Sequence, residues 1–284
     1  MGNYDYLMLC DVETRNPHVA AELSHWGNWM HEQTAFHGVR LDAVKHFAPQ
    51  FYKDWLHVLR QNTDKNLFAV GEYWAPGNLD LLQRYLAATD GCMSLFDSAL
   101  RTILDNSLMM ASPLFAVTLV DNHDTQPLQS LEAPVAAWFK PHAYALILLR
   151  AEGYPCVFYP DLYGAKYKDK GRDGEDYEID LAKVDCLENL LQARKNNAYG
   201  DQNVYFDEPD CIGFTRLGDG EHPGCAVVMG NRDESTKLME MGNPYAGKTF
   251  HDTLGHRPEK ILIGEDGWAE FPCPAGGVSV WIPE

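Results

Sequence analysis

Along the first two-thirds of the chain, apolar residues recur with a helical period, then in short extended runs, and the two patterns alternate. Asn16-Pro17 has the form of an N-cap followed by a first-turn proline, and Val19, Leu23, Trp26 and Met30 recur behind it at helical spacing. An extended run ends at Gly38-Val39-Arg40-Leu41-Asp42. A second helical stretch follows with Phe51, Trp55, Val58 and Leu59 on one face, and then the apolar run Leu67–Glu72. The alternation continues with helices over Leu79–Ala88, Leu100–Met110, Pro134–Arg150 and Leu187–Asn196. Strands are predicted between them over Cys92–Asp97, Phe115–Asp121 and Pro155–Tyr159. Such alternation predicts a parallel sheet with helical crossovers.

After Asn197 the pattern changes. Val204–Phe206, Ile212–Thr215, Ala226–Met229, Ile261–Ile263 and Val278–Trp281 are short extended runs separated by Gly, Asn, Asp and Pro clusters. They predict an antiparallel β domain over 198–284, built as a sandwich. The expected fold is therefore α/β: part of a (β/α)-barrel over 17–197, then an all-β domain.

Composition narrows the partners. The 284 residues are 45% hydrophobic, enough for a packed core, and carry a net charge of −18. Nothing basic is available to neutralise a phosphate backbone, so nucleic acid is not an expected partner, and neither is an anionic membrane. A neutral polymer meets no such penalty. Seven cysteines stand singly, without a CxxC pair. Their odd number and the apparent lack of a secretory leader in MGNYDYLMLCDVE lead to the expectation of reduced thiols in a cytoplasmic protein.

The candidate chemistry lies at strand ends. A barrel of eight βα units in about 250 residues spends about 31 residues per unit. Asp42 and Glu72 are 30 residues apart, and Glu72 and Asp124 are 52 apart. All three thus fall at or just past the C-terminal ends of strands, the face on which barrel active sites are built. Two carboxyl groups about 5–5.5 Å apart are what a retaining glycosidase needs, one as nucleophile and one as acid/base. Arg40, two residues before Asp42 on the same strand face, would keep the nucleophile ionised, and the apolar run before Glu72 would favour a protonated acid. Spacing alone leaves ordinary strand-end acids as an equal reading.

Three segments tip the balance. GVRLDAVKH (38–46), VGEYW (70–74) and VDNHDTQP (120–127) resemble, in order, three short conserved regions of the α-amylase clan of glycoside hydrolases. WFKPHAYALILLR (138–150) and PCVFYPDLYG (155–164) resemble the bacterial cytoplasmic and liquefying-type members. The resemblance implies Asp42 as nucleophile, Glu72 as general acid/base and Asp124 as a third acid gripping sugar hydroxyls. It also implies Arg40 orienting Asp42, His123 donating to the sugar, and Lys45 and His46 lining the leaving-group side. Trp74 is either a stacking platform or a packing residue. Asp97 is either a neighbour of the site or structural.

The same resemblance implies a structural calcium held by Asp5, Asp11 and the backbone carbonyl of His46, with residues 1–16 as the end of an inserted loop domain. Oxygen ligands suit that hard cation. Asp5 and Asp11 also read as turn or capping acids. Glu13 and Arg15 stand where metal-richer members carry aspartates, which argues against a second adjacent cation. The implied substrate is an α-glucan, cleaved at α-1,4 bonds. The first conserved region of the clan has no counterpart here, and only five barrel strands, numbered 4 to 8 by the resemblance, are predicted where closure needs eight. The chain is therefore expected to be N-terminally truncated, with a missing N-terminal part as a possible partner. The competing expectation is an incomplete fragment, inactive alone.

Overall fold

The computed structural model describes residues 12–98, 100 and 106–284. By internal contacts the chain forms two compact units. One runs to Leu119 and includes Glu152–Tyr154; the other comprises Val120–Ala151 and Pro155–Glu284.

In the first unit, α1 (Pro17–Thr34) begins as the sequence predicts, with the Asn16 side chain accepting from the His18 N–H at 3.0 Å. Its apolar face is less buried than expected, however: Trp26 and Trp29 are half exposed, and the helix meets α2 (Pro49–Asn62) through Gly27 instead. A Cβ on Gly27 would stand 2.7 Å from the Trp55 ring, whose indole N–H donates to the Leu23 carbonyl at 2.9 Å. The buried face of α2 is Tyr52, Trp55, Leu56 and Leu59, the i, i+3, i+4, i+7 stripe of an amphipathic helix. Trp55 and Leu59 were expected there; the flanking Phe51 and Val58 are only partly buried. α3 (Leu79–Ala88) falls where predicted, capped by Asn78.

Strands β1 (Gly38–Leu41), β2 (Phe68–Gly71), β3 (Ser94–Phe96), β4 (Ala116–Leu119) and β5 (Tyr154–Cys156) form one sheet in chain order. β1 to β4 pair in parallel, with Leu41 opposite Gly71, Val70 opposite Ser94 and Leu95 opposite Ala116. The helix expected over Leu100–Met110 is represented, among the described residues, by the single turn α4 (Leu108–Ala111). Asp97 accounts for its start. Fully buried, Asp97 accepts from the N–H groups of Leu100, Leu108 and Met109, which gives it a structural, capping role.

In the second unit, the long helix expected from Pro134 begins only at Lys140, as α5 (Lys140–Leu149). The Val135 N–H is drawn instead to the Asp121 carboxylate, and Ala136–Phe139 closes a separate turn. α6 (Tyr159–Tyr163) takes the place of the end of the predicted strand 155–159. It leads into a hairpin absent from the sequence reading, β6 (Ala165–Lys170) and β7 (Asp176–Leu181). Its strands alternate charged residues with Ala165, Tyr167, Tyr177, Ile179 and Leu181, a period-two pattern that the reading of longer apolar runs passes over. α7 (Leu187–Asn197) follows as predicted.

The C-terminal residues form a six-stranded antiparallel sheet and a two-stranded one, as a sandwich requires. β8 (Gln202–Tyr205), β9 (Cys211–Arg216), β10 (Cys225–Gly230), β12 (Thr249–Asp252), β13 (Lys260–Leu262) and β15 (Val278–Pro283) make the larger, in the order β13-β12-β15-β10-β9-β8. β11 (Ser235–Glu240) and β14 (Trp268–Cys273) make the smaller. Met239, Phe271 and Cys273 from the small sheet pack with Ala226, Val228, Phe250 and Trp281 from the large one. β11 is hidden from sequence reading by Lys237. That buried lysine ion-pairs with Asp207 at 2.6 Å and donates to the Cys211 carbonyl.

Candidate active site

Parallel pairing decides where Asp42 and Glu72 emerge. Since Leu41 lies opposite Gly71, each acid is the first residue past the end of its strand, on neighbouring strands. The ladder continues one step beyond them: the Glu72 N–H donates to the Leu41 carbonyl at 2.8 Å, and the Val44 N–H to the Glu72 carbonyl at 3.0 Å. Between those bonds Ala43 takes a left-handed conformation (φ 47°), costly for a residue with a Cβ. That conformation turns the Ala43 N–H onto the Glu72 carboxylate, at 2.9 Å from Oε2. The two acids differ sharply in exposure: the Asp42 side chain is 75% exposed, whereas Glu72 is 9% exposed.

Arg40 sits on the face expected of it. Its guanidinium lies 3.0 Å from Asp42 Oδ1 and 5.7 Å from the centroid of the Phe96 ring on β3, so one cation ties the acid to the sheet. Tyr52 closes the same side. Burial, and then the Asp42 charge, push its phenol pKa up. Gly71 explains the tight seat of Glu72, because a Cβ there would come within 2.8 Å of Met93 Sδ and 3.0 Å of Leu95. Lys45 donates to the Trp74 carbonyl at 3.3 Å, and both side chains are partly buried. His46 ends the short 3-10 turn Val44–His46, and the Tyr85 hydroxyl donates to the Val44 carbonyl. The segment after Glu72 is fixed by Ser98, whose hydroxyl donates to the Tyr73 carbonyl and accepts from the Ala75 N–H. The first unit thus brings together Arg40, Asp42 and Glu72, with Lys45 bonded to Trp74.

Asp124 and His123 belong to the second unit, in a loop folded around Asn122. The Asn122 side chain accepts from the N–H groups of Asp124 and Thr125, and the Thr125 hydroxyl accepts from the Asn122 N–H. His123 Nε2 stands 3.3 Å from Asp124 Oδ2. Behind the loop, a buried charge network holds its base. Lys140 lies 3.0 Å from Asp121 and also bonds Asp161, to which Tyr144 donates at 2.6 Å. Sequence reading missed this network, although Lys140, Tyr144 and Asp161 all lie inside resembling segments. A lysine beside a proline at a helix start carries no mark of burial. Farther along the loop, the Tyr167 hydroxyl donates to the Pro127 carbonyl and Gln129 bonds Asp169, which seats the β6–β7 hairpin on the loop.

Two of the three expected calcium ligands, Asp5 and Asp11, lie outside the described residues. Among the described residues no group of three His, Cys, Asp or Glu side chains is arranged to hold a metal ion, so His46 is the one expected ligand that can be placed. One carbonyl does not make a cation site.

Against known proteins, the family model for the α-amylase C-terminal domain matches residues 226–282, within the β sandwich. The chain is 47% identical to the cytoplasmic α-amylase of Escherichia coli over its whole length, covering 60% of that protein. It is 44% identical to the α-amylase of Geobacillus stearothermophilus, covering 99% of this chain and 53% of that one. Among solved structures, an Anoxybacillus α-amylase superposes on 97% of this chain and 65% of its own, with a TM-score of 0.71 at 18% identity, a likeness of fold. The chain therefore spans little more than half the length of these curated relatives, and over that span it is similar to bacterial α-amylases.

Proposed function

We propose that the chain carries the catalytic acids of an α-amylase, which hydrolyses α-1,4-glucosidic bonds of starch, glycogen or maltodextrins internally and with retention. The observation that carries this reading is the placement of Asp42 and Glu72 side by side past paired parallel strands, one exposed beside a guanidinium and the other enclosed. In that reading the Asp42 carboxylate attacks the anomeric carbon and forms a glycosyl ester. The bond from that carbon to the leaving sugar's oxygen breaks, and Glu72 delivers its proton to the oxygen. Water then attacks the anomeric carbon as the Glu72 carboxylate takes a proton from the water; the ester bond breaks, releasing Asp42. Arg40 holds the nucleophile's orientation. Asp124 grips sugar hydroxyls, His123 donates to the sugar, Lys45 and His46 line the leaving-group side, and Trp74 is a candidate platform for a sugar face.

The reading includes the numbering of the five strands as 4 to 8 of a (β/α)8 barrel, and a structural calcium at Asp5, Asp11 and the His46 carbonyl. No step of the chemistry passes through that ion. A rise in melting temperature with calcium, abolished by chelator, would support it. A cytoplasmic location is proposed from the likeness to the E. coli enzyme. Among the described residues no helix is long and apolar enough to cross a membrane.

A second reading, an incomplete catalyst that needs a further polypeptide segment, is favoured by the five-stranded sheet, since barrel closure takes eight strands. Hydrolysis of a reducing-end-blocked maltoheptaoside separates the two. The first reading expects turnover by the chain that falls by at least about a thousandfold in Glu72→Gln and in Asp42→Asn. Absence of turnover in a folded chain sinks it in favour of the second.

A further inference from the structure

The second unit holds a cavity of about 330 Å³ whose lining is unusual for a chain of net charge −18. It is bounded by Arg150, Arg194, Lys195 and Arg216, with Tyr199 and Leu191 among the remaining walls and no acid in the lining. Glu152 and Asp201, the acids nearest in sequence, are not part of it. Two of the arginines are deeply buried: Arg150 is 2% exposed and Arg216 is 7% exposed.

Part of this charge has a structural purpose. Arg216 donates to the carbonyls of Leu149 and Gly200, and Arg194 to the carbonyl of Leu148, so both cap the C-terminal end of α5. Arg150 lies over the rings of Phe206 and Phe214. Capping does not explain the rest. Arg194 makes a single hydrogen bond, through Nη1, and its pKa is lowered by burial. A guanidinium has five N–H donors, so most of this one has no partner among the described residues and is free to meet a ligand. Lys195, beside it in the last turn of α7, forms no ion pair among the described residues.

We propose that this cavity is an anion site for a phosphate group, taken either as inorganic phosphate or as the phosphoryl end of a hexose phosphate. Planar guanidinium forks suit the tetrahedral oxygens of a phosphate, and an ammonium at the rim adds a point charge. The volume exceeds what a bare phosphate fills and admits a monosaccharide attached to it. Tyr199 offers an aromatic wall against which a pyranose can lie. The site is separate from Asp124 and His123 in sequence and lining, and it does not rest on the glucan-hydrolysis reading.

The test is isothermal titration calorimetry of the full chain with glucose 1-phosphate and with sodium phosphate. Sodium chloride at matched ionic strength is the control, and melting temperature is followed in parallel. Saturable binding of either phosphate is expected, with no response to chloride. Arg194→Gln should weaken it about tenfold or more. Lys195→Ala, at an exposed position where folding is not at risk, should weaken it by a smaller factor. Tighter binding of the hexose phosphate identifies a sugar-phosphate site, and equal binding identifies a phosphate site; both outcomes uphold the proposal. A response that chloride reproduces, no saturable binding, or affinity unchanged in both variants would overturn it.

Discussion

The two turns that carry the candidate acids are built from different materials. The Asp42–Glu72 turn is held by main chain: strand register, two ladder bonds beyond the strand ends, and one N–H aimed at a carboxylate. The Asp124 turn has main-chain bonds of its own, from the Gln126, Leu131 and Ala133 N–H groups, but adds side chains to them: Asn122 and Thr125 within the loop, and the Asp121–Lys140–Asp161 charges behind it. Main-chain bonds survive most substitutions, whereas a buried ion network depends on every member. One acid pair is therefore the more robust to sequence change, and the third acid depends in addition on a few named charges.

Lys140 is where this contrast should break first. Lys140→Ala leaves Asp121 and Asp161 buried without their cation, and removing one partner of a buried pair costs about 3–5 kcal/mol. Urea unfolding should show the loss; a change below about 1 kcal/mol would mean that the network is not what holds the loop.

The same network predicts an alkaline limit. Burial lowers the Lys140 pKa, but its bonds and attraction to Asp161 and then Asp121 outweigh this, so the ammonium is held above its ordinary 10.5. A raised folded pKa means stability that is fully present below the unfolded value and lost as pH rises through the folded one. The buried phenols of Tyr52, Tyr85 and Tyr144, all pushed up by desolvation, act in the same direction from about pH 10. The unfolding midpoint should therefore fall above about pH 10, and less steeply in Lys140→Ala.

For the main-chain turn, the largest effect should come from Gly71→Ala. The added methyl meets Met93 and Leu95, and overpacking of this kind costs about 1–3 kcal/mol. Asn122→Ala should cost less, about 1 kcal/mol, for the two N–H groups it leaves to water in a part-buried loop. Smallest, and opposite in sign, is Ala43→Gly. Glycine takes the left-handed conformation without strain, so a gain of a few tenths to about 1 kcal/mol is expected. A loss there would show that the Ala43 methyl packs more than its backbone strains.

Legibility in the sequence followed the same division. Helices with caps and a clear stripe, such as α1 and α3, and the register-bearing strand ends at Asp42 and Glu72 were readable, because local propensity and hydrophobic period agree there. Strand alternation puts Arg40 on the face of Asp42, and the two lie 3.0 Å apart. What escaped were features whose signal is charge or contact over distance: the late start of α5, drawn out by the Asp121–Val135 bond, and the buried Lys237 in β11; the β6–β7 hairpin escaped because its alternating face is short and dominated by its charges. The Trp26 face of α1 misled because periodicity reports an apolar stripe without reporting what covers it.

That hairpin carries a consequence for solubility. Lys166 with Asp180, Lys168 with Glu178 and Lys170 with Asp176 form three rungs of opposite charge on one face. Any strand that docked alongside would have to desolvate those charges without supplying partners for them, and lysines along an open edge are a recognised barrier to such addition. A two-stranded ribbon standing in water is ordinarily an invitation to fibre growth. Here it is self-neutralising across its width and unattractive along its length, which leaves it free to brace the Pro127–Gln129 loop without recruiting another copy of itself.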